Sequence, residues 1–316
     1  MIRLGLDEAG YGPLLGPLVV GMAALRVPDG GDDEDVRRRL DGLVARARGR
    51  RRKGALPVAI DDSKEVHGRY GVEGLAHGVA AAAVAAGRAV PTDLADWLER
   101  FGDRGPDAFG ADPWFAEPER ARVPPWSPPA GLRAQWLLRG VEPLGVVVSP
   151  VTPAELNEAF DALDNKARVL FLATAALLVR GLDAHPGEDV EAVLDREGGR
   201  LDYLEPLRGV FPFHDIEREA APAGEARYRL TEGGRRVRLR FVTKGDGADL
   251  ATGLASMAAK LTRELFMDRL NAWFLARAPG VRPTAGYVED GRRFLRDVAP
   301  VLERERVDLR RLVRTR

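Results

Sequence analysis

The sequence predicts an α/β protein built on a mixed central β-sheet flanked by helices. Three observations predict it. Short Val- and Leu-rich segments alternate with helical ones along the chain. Two strands near the start are close enough to pair as a hairpin, which a purely parallel sheet would not contain, and residues 249–277 carry the periodicity of a long amphipathic helix.

Residues 2–6 alternate apolar and polar side chains and deliver Asp7 and Glu8, and residues 16–27 (GPLVVGMAALRV) form a second Val/Leu-rich run after a Gly-rich turn. Residues 28–57 read as an inserted loop or basic helix. The short strand PVAI precedes the polar residues of DDSK, and the alanine-rich stretch 72–88 reads as a helix. Seven prolines in residues 104–131 exclude regular helix there, and Trp114 and Trp126 in that excursion are expected to pack on the core rather than offer a stacking surface.

Residues 145–150 are a buried strand. Thr152, Pro153 and Glu155 open a long helix with a capping box. Residues 190–195 (VEAVLD) are a strand ending on an acid. Tyr228 and Leu230 alternate against Val237, Leu239 and Phe241 around Gly233-Gly234, a hairpin whose other face carries arginines that either guard an edge strand or face phosphates. Leu254, Ala258, Leu261 and Leu265 mark the buried stripe of the last long helix.

With 316 residues, 45% of them hydrophobic, the chain can bury one main core with excursions. No apolar run is long enough to span a membrane and the opening lacks the layout of a signal peptide, so a cytoplasmic, soluble protein is expected. There are no cysteines, and His67, His77, His185 and His214 are widely separated, so any metal is a hard cation held by carboxylates. Net charge is zero, but residues 37–53 hold nine basic residues and residues 304–316 hold six, patches that either contact phosphates or form a solvated surface.

Acids at the ends of apolar segments stand out: Asp7, Glu8, Asp62, Asp195 and, on the border of the leucine stripe, Glu264. Carboxylates that converge in a partly dry cleft repel one another unless a divalent cation neutralises them. Two Mg²⁺ or Mn²⁺ ions in such a cleft activate a water and stabilise the leaving oxygen of a phosphodiester. Around Asp195, the acids Asp189, Glu191, Glu197 and Asp202 compete for the same role.

The segment DEAGYGPLLGPLVVG resembles the DEAGxGPxxGPxVV opening of the type 2 ribonucleases H, the HII and HIII enzymes. DSK at 62–64 resembles that family's second motif, and KGDGADLATGLASMAAKLTRE (244–264) its third; SPVTPAELNEAFDALDNKA is similar to the helix after VSPxxID. The order agrees throughout, over about half of the chain, leaving residues 28–57, 91–140 and 198–235 as family-atypical insertions.

The resemblance implies a ribonuclease H-like fold, with a catalytic domain over residues 1–275 and a C-terminal helical extension over 276–316. It implies hydrolysis of the RNA strand of RNA/DNA hybrids, or cutting at ribonucleotides in duplex DNA, leaving 3′-hydroxyl and 5′-phosphate ends. Asp7, Glu8, Asp195 and Glu264 match the catalytic, metal-binding carboxylates for Mg²⁺ or Mn²⁺. Gly10, Tyr11, Gly12, Ser63, Lys64 and Lys244 fall at substrate-binding positions, the glycines letting the nucleic-acid backbone come close and sense a 2′-hydroxyl. The expected partner is nucleic acid, with no membrane and a monomeric chain. The alternatives are a nuclease of the same fold acting on structured or single-stranded nucleic acid, or a non-cleaving nucleic-acid-binding relative.

The chain departs from the family pattern at several places. Gly10-Tyr11-Gly12 replaces Gly-Arg-Gly, Ala248 and Asp249 replace Lys and Ser, and Arg292 replaces a late His. No amino-terminal substrate-binding domain of the HIII kind is expected.

Overall fold

The alternation at the start of the chain becomes a hairpin. In the computed structural model, which describes residues 1–48, 56–196, 200–243 and 249–316, β1 (Ile2–Ala9) runs antiparallel to β2 (Leu18–Arg26). There follow α1 (Asp33–Arg39), the short parallel pair β3 (Val44–Ala45) and β4 (Val58–Ala59), α2 (Ser63–Ala85), α3 (Leu94–Phe101), α4 (Leu132–Leu138) and β5 (Glu142–Val151). Next come α5 (Pro153–Leu163), α6 (Lys166–Asp183), β6 (Val190–Asp195), α7 (Leu204–Val210), and the strands β7 (Asp215–Glu219), β8 (Glu225–Glu232) and β9 (Arg235–Val242). The chain then forms α8 (Leu250–Arg277), α9 (Val288–Asp297), α10 (Ala299–Arg304) and α11 (Leu309–Leu312).

Among the described residues seven strands form one sheet in the order β5-β2-β1-β6-β9-β8-β7. β1–β6 and β6–β9 are parallel and the other pairings antiparallel, so the sheet is mixed. Leu4, Leu6, Met22, Leu194 and Phe241 pack on one face with Leu178 of α6 and Leu207 of α7. On the other face, Val19, Ala23 and Leu25 pack with α8 and α2.

α8 lies almost in contact with the sheet backbone. A Cβ added at Gly5 would stand 2.0 Å from the Thr252 amide nitrogen, and one at Gly21 would stand 2.3 Å from the Ala255 carbonyl oxygen. These two glycines let β1 and β2 accept the helix. The stripe Leu254, Ala258, Leu261 and Leu265 is buried as the periodicity requires.

The helix expected after Thr152 is two helices. Asp164 adopts a left-handed conformation (φ 47°), and the Asn165 side chain accepts from the Arg168 amide to start α6 afresh. The proline-rich excursion packs: Trp114 is buried, stacked on Phe274 with ring centres 6.1 Å apart, and Trp126 is partly buried against the same core.

The basic clusters are tied to acids of the same chain. Arg37 and Arg46 reach Asp33, Arg39 reaches Asp35 and Arg48 reaches Glu65. At the other end Arg310, Arg311 and Arg316 reach Asp161, Asp112 and Asp164. Residues 49–53 of the first cluster lie outside the described residues. Phe294, Val298, Val301 and Leu312 join the same core as α8, and Val313 bridges to Leu15. No helix among the described residues is long and apolar enough to cross a membrane.

Candidate active site

Parallel pairing of β1 and β6 creates the centre. Leu6 stands opposite Leu194, and the next residue of each strand is an acid, Asp7 and Asp195. Cross-strand neighbours point to the same face, so the two carboxylates leave the sheet side by side where the ladder ends. Glu8 follows, its amide donating to Asp7 Oδ1 at 2.8 Å. One carboxylate oxygen from each of Asp7, Glu8 and Asp195 lies within 4.8 Å of the other two. Asp7 is buried, and Glu8 and Asp195 are half-buried.

At such separations each pair of charges repels by roughly 3–4 kcal/mol at an effective dielectric constant of about 20. Three hard oxygen donors at this spacing fit Mg²⁺ or Mn²⁺. The competing acids near Asp195 are occupied elsewhere. Asp189 binds Arg236, Glu191 binds Arg3, and Asp202 accepts from the Tyr228 hydroxyl and the Leu204 amide. Glu197 lies outside the described residues.

The centre opens into a cleft of about 1040 Å³ lined, among the described residues, by eight carboxylates, Asp7 and Asp195 among them, against four cationic side chains, Arg46, Arg48, Lys64 and Arg240. The start of α8 forms one wall. Asp249 caps it by accepting from the Ala251 and Thr252 amides, and Asp33 accepts from the Leu250 amide at 2.7 Å. Burial, then the nearby Asp33 charge, push the Asp249 carboxyl up to about 6, against the opposing pull of Arg3 at 3.5 Å.

The loop between β1 and β2 is braced from beneath by two buried arginines. Arg314 donates to the carbonyls of Gly10 and Gly16, and Arg263 to those of Leu15 and Ala285. Burial holds both guanidiniums below their usual range, Arg314 at about 9, where the charge of Arg263 adds to the effect. A Cβ at Gly10 (φ +87°) would meet Arg263 at 2.6 Å, so this glycine serves close approach within the protein. Gly12 is exposed, with nothing within 4 Å of its Cβ position. Tyr11 is half-buried, with the Lys166 ammonium 4.6 Å from its ring centre.

No protein-family model matches the chain, and no curated protein does. Among solved structures, the chain is similar to one in the PCNA–RNase HII complex of Archaeoglobus fulgidus, at 17% identity over 100% of this chain and 95% of that one, with a TM-score of 0.42. It is similar to the ribonuclease H2 of Pyrococcus horikoshii, at 14% identity over 99% and 92% of the two chains, with a TM-score of 0.43. A third is Bst-RNase HIII in complex with Mn²⁺, at 14% identity and a TM-score of 0.42, covering 100% of this chain and 66% of that one. Likeness at this level carries no chemistry to the present chain. The arrangement of the acids has to do that.

Of the residues singled out from sequence, Asp7, Glu8 and Asp195 come together and Glu264 does not. Glu264 accepts from Lys260 Nζ at 2.5 Å, one turn back on α8. It lies twelve residues beyond Thr252, the residue where α8 lines the cleft, which is about 18 Å of helix. The expected nest of four is, among the described residues, a group of three.

Ser63 faces inward. Its hydroxyl accepts from Ser256 at 2.9 Å, so it joins α2 to α8 rather than facing a ligand, whereas Lys64 is exposed on the cleft. Lys244 lies outside the described residues. Sequence reasoning missed the wall formed by Asp33 and Asp249, although an Asp just before a strongly periodic helix signals a cap. It also missed Arg263 and Arg314, which carry no local signal of burial.

Proposed function

We propose that the protein is a divalent-metal-dependent endonuclease of the type 2 ribonuclease H kind, hydrolysing the RNA strand of RNA/DNA hybrids to leave 3′-hydroxyl and 5′-phosphate ends. The observation that carries this reading is the meeting of Asp7, Glu8 and Asp195 within 4.8 Å at the end of two parallel strands, with Asp7 and Asp195 lining the cleft. Bound Mg²⁺ or Mn²⁺ supplies Lewis-acid stabilisation of the phosphate oxygens and a more acidic water.

The chain's own residues do the rest. Asp7 and Asp195, fixed by neighbouring strands, hold the ions, and half-buried Glu8 orients the water or completes the ligand set. Gly12 presents backbone without a side chain just past the acids, which suits close contact with a ribose 2′-hydroxyl. Lys64 and Arg240 on the cleft wall offer cations to the flanking phosphates.

The test is incubation of the purified protein with an end-labelled RNA/DNA hybrid, an all-DNA duplex and single-stranded RNA, each with Mg²⁺ and with Mn²⁺. Cleavage of the hybrid's RNA strand, lost in Asp7→Asn, supports the reading. Hybrids left intact with either metal, beside a control enzyme that cuts them, overturn it.

A further inference from the structure

The sheet continues past the acids as a charged, open face. β9 lies between β6 and β8, with β7 at the edge, so the arginines of β9 have no edge to guard. On the face opposite Val237, Leu239 and Phe241 stand Arg236, Arg238 and Arg240 of β9 and Arg227 and Arg229 of β8. Arg227 is paired with Arg240 and Arg229 with Arg238, so like charges sit directly opposite one another, an arrangement that by itself destabilises a sheet.

Carboxylates offset the repulsion from below. Glu225 accepts from both Arg227 and Arg240 at 2.7 Å, and Glu219 accepts from Arg238 at 3.1 Å. Arg238 and Arg229 are 53% and 44% exposed over Glu219 at 22%, and Arg240 and Arg227 are 27% and 31% exposed over Glu225 at 11%. Glu219 and Glu225 therefore form an inner layer beneath four of these guanidiniums, while two acids at the surface, Glu217 and Asp189, also hold Arg229 and Arg236.

This face runs into the acid centre. Val242 pairs with Asp195 in register, and Arg240, Glu225 and Val242 line the same cleft as Asp7 and Asp195. Successive β9 arginines are two residues, roughly 6.7 Å, apart. Measured along a duplex axis, that spans about two of the 3.4 Å rises that separate charges on one strand.

We infer that this guanidinium-topped face is the track on which the sugar–phosphate backbone of the nucleic-acid substrate lies as it enters the acid cleft. Each arginine donates to phosphate oxygens, the geometry for which a planar fork is suited. The inference rests on the nuclease reading for what the track feeds, but it concerns binding and is measured separately from cleavage.

The test uses the full chain carrying Asp7→Asn, a fluorescent RNA/DNA hybrid and anisotropy titrations from 50 to 200 mM salt. Adding R229Q, R236Q and R238Q is expected to weaken binding at least tenfold at about 100 mM salt and to lower the slope of log K against log salt by up to about 2.7. The matching triple Lys variant is expected to keep most of the affinity. If the Gln triple does not fold, R236Q alone, at the most exposed of the five positions, is expected to lower the slope by about 0.9.

Unchanged affinity and slope in the Gln variants, with a wild type that cleaves, overturn the track and leave the nuclease reading standing. A wild type that does not cleave, yet binds the hybrid and loses it on the Gln changes, upholds the track and removes the nuclease reading. No binding by any form removes both.

Discussion

The two halves of the sheet are treated in opposite ways. Under α8, β1 and β2 are so closely covered that Gly5 and Gly21 leave no room for a methyl group. Beyond β6, the same face of β8 and β9 carries exposed arginines over half-buried glutamates. Asp7 and Asp195 stand on the seam. Covered strands hold an acid rigidly, and an open flank lets a large substrate reach it; neither half alone provides both. The seam explains why the charged centre forms on the two adjacent parallel strands and not further along either half.

The largest expected effect breaks the seam itself. Asp7→Asn or Asp195→Asn should lower hybrid cleavage at least about a thousandfold, some 4 kcal/mol of activation free energy, in single-turnover assays with Mn²⁺. Each variant should gain less stability than wild type on adding Mn²⁺, read as the shift in melting temperature. A variant that keeps its activity detaches the acids from the chemistry.

Next comes the covered half. Gly5→Ala places a methyl group against the Thr252 backbone and should cost about 3 kcal/mol or more in denaturant unfolding, since neither β1 nor α8 can move alone. A neutral result would mean that α8 sits further from the sheet.

A smaller effect sharpens the boundary between the halves. The folded Asp249 carboxyl keeps its proton up to about pH 6, while the unfolded chain releases it near its ordinary value of 3.8. The folded state therefore binds more protons and loses stability as pH rises through that window. Asp249→Asn keeps a capping side chain and removes the charge. It should be more stable than wild type by on the order of 1 kcal/mol above pH 6, with the difference shrinking towards pH 4. Thermal melts across that range check it.

The smallest effect concerns Glu264. Glu264→Gln should change activity less than threefold and stability by a few tenths of a kcal/mol, the worth of its i, i+4 partner Lys260. A loss comparable to that of Asp7→Asn would return Glu264 to the centre.

Much of this was legible before any coordinates. β6 ends on Asp195 as its apolar run suggests, the Gly233-Gly234 turn sets the β8–β9 register, and the Leu254–Leu265 stripe is buried. Each of these signals is local. The break at Asp164 was hidden because residues 153–183 keep helical periodicity across it. Glu264 was misplaced because its helical angle does not show that its carboxylate is taken by Lys260 on the same helix. Arg263 and Arg314 went unmarked because their partners are backbone carbonyls, which no sequence pattern signals. The open arginine face needed the strand order, since a hairpin alone does not say which of its strands becomes the edge.

The brace beneath the β1–β2 loop sets an order in time. Gly10 is 304 residues from the arginine that holds its carbonyl. At ribosomal speeds of about 5–20 residues per second, roughly 15 to 60 seconds separate the two during synthesis. A nascent chain has both acids of its first strand almost at once, yet the support of the loop that follows them is finished only when translation has passed Arg314.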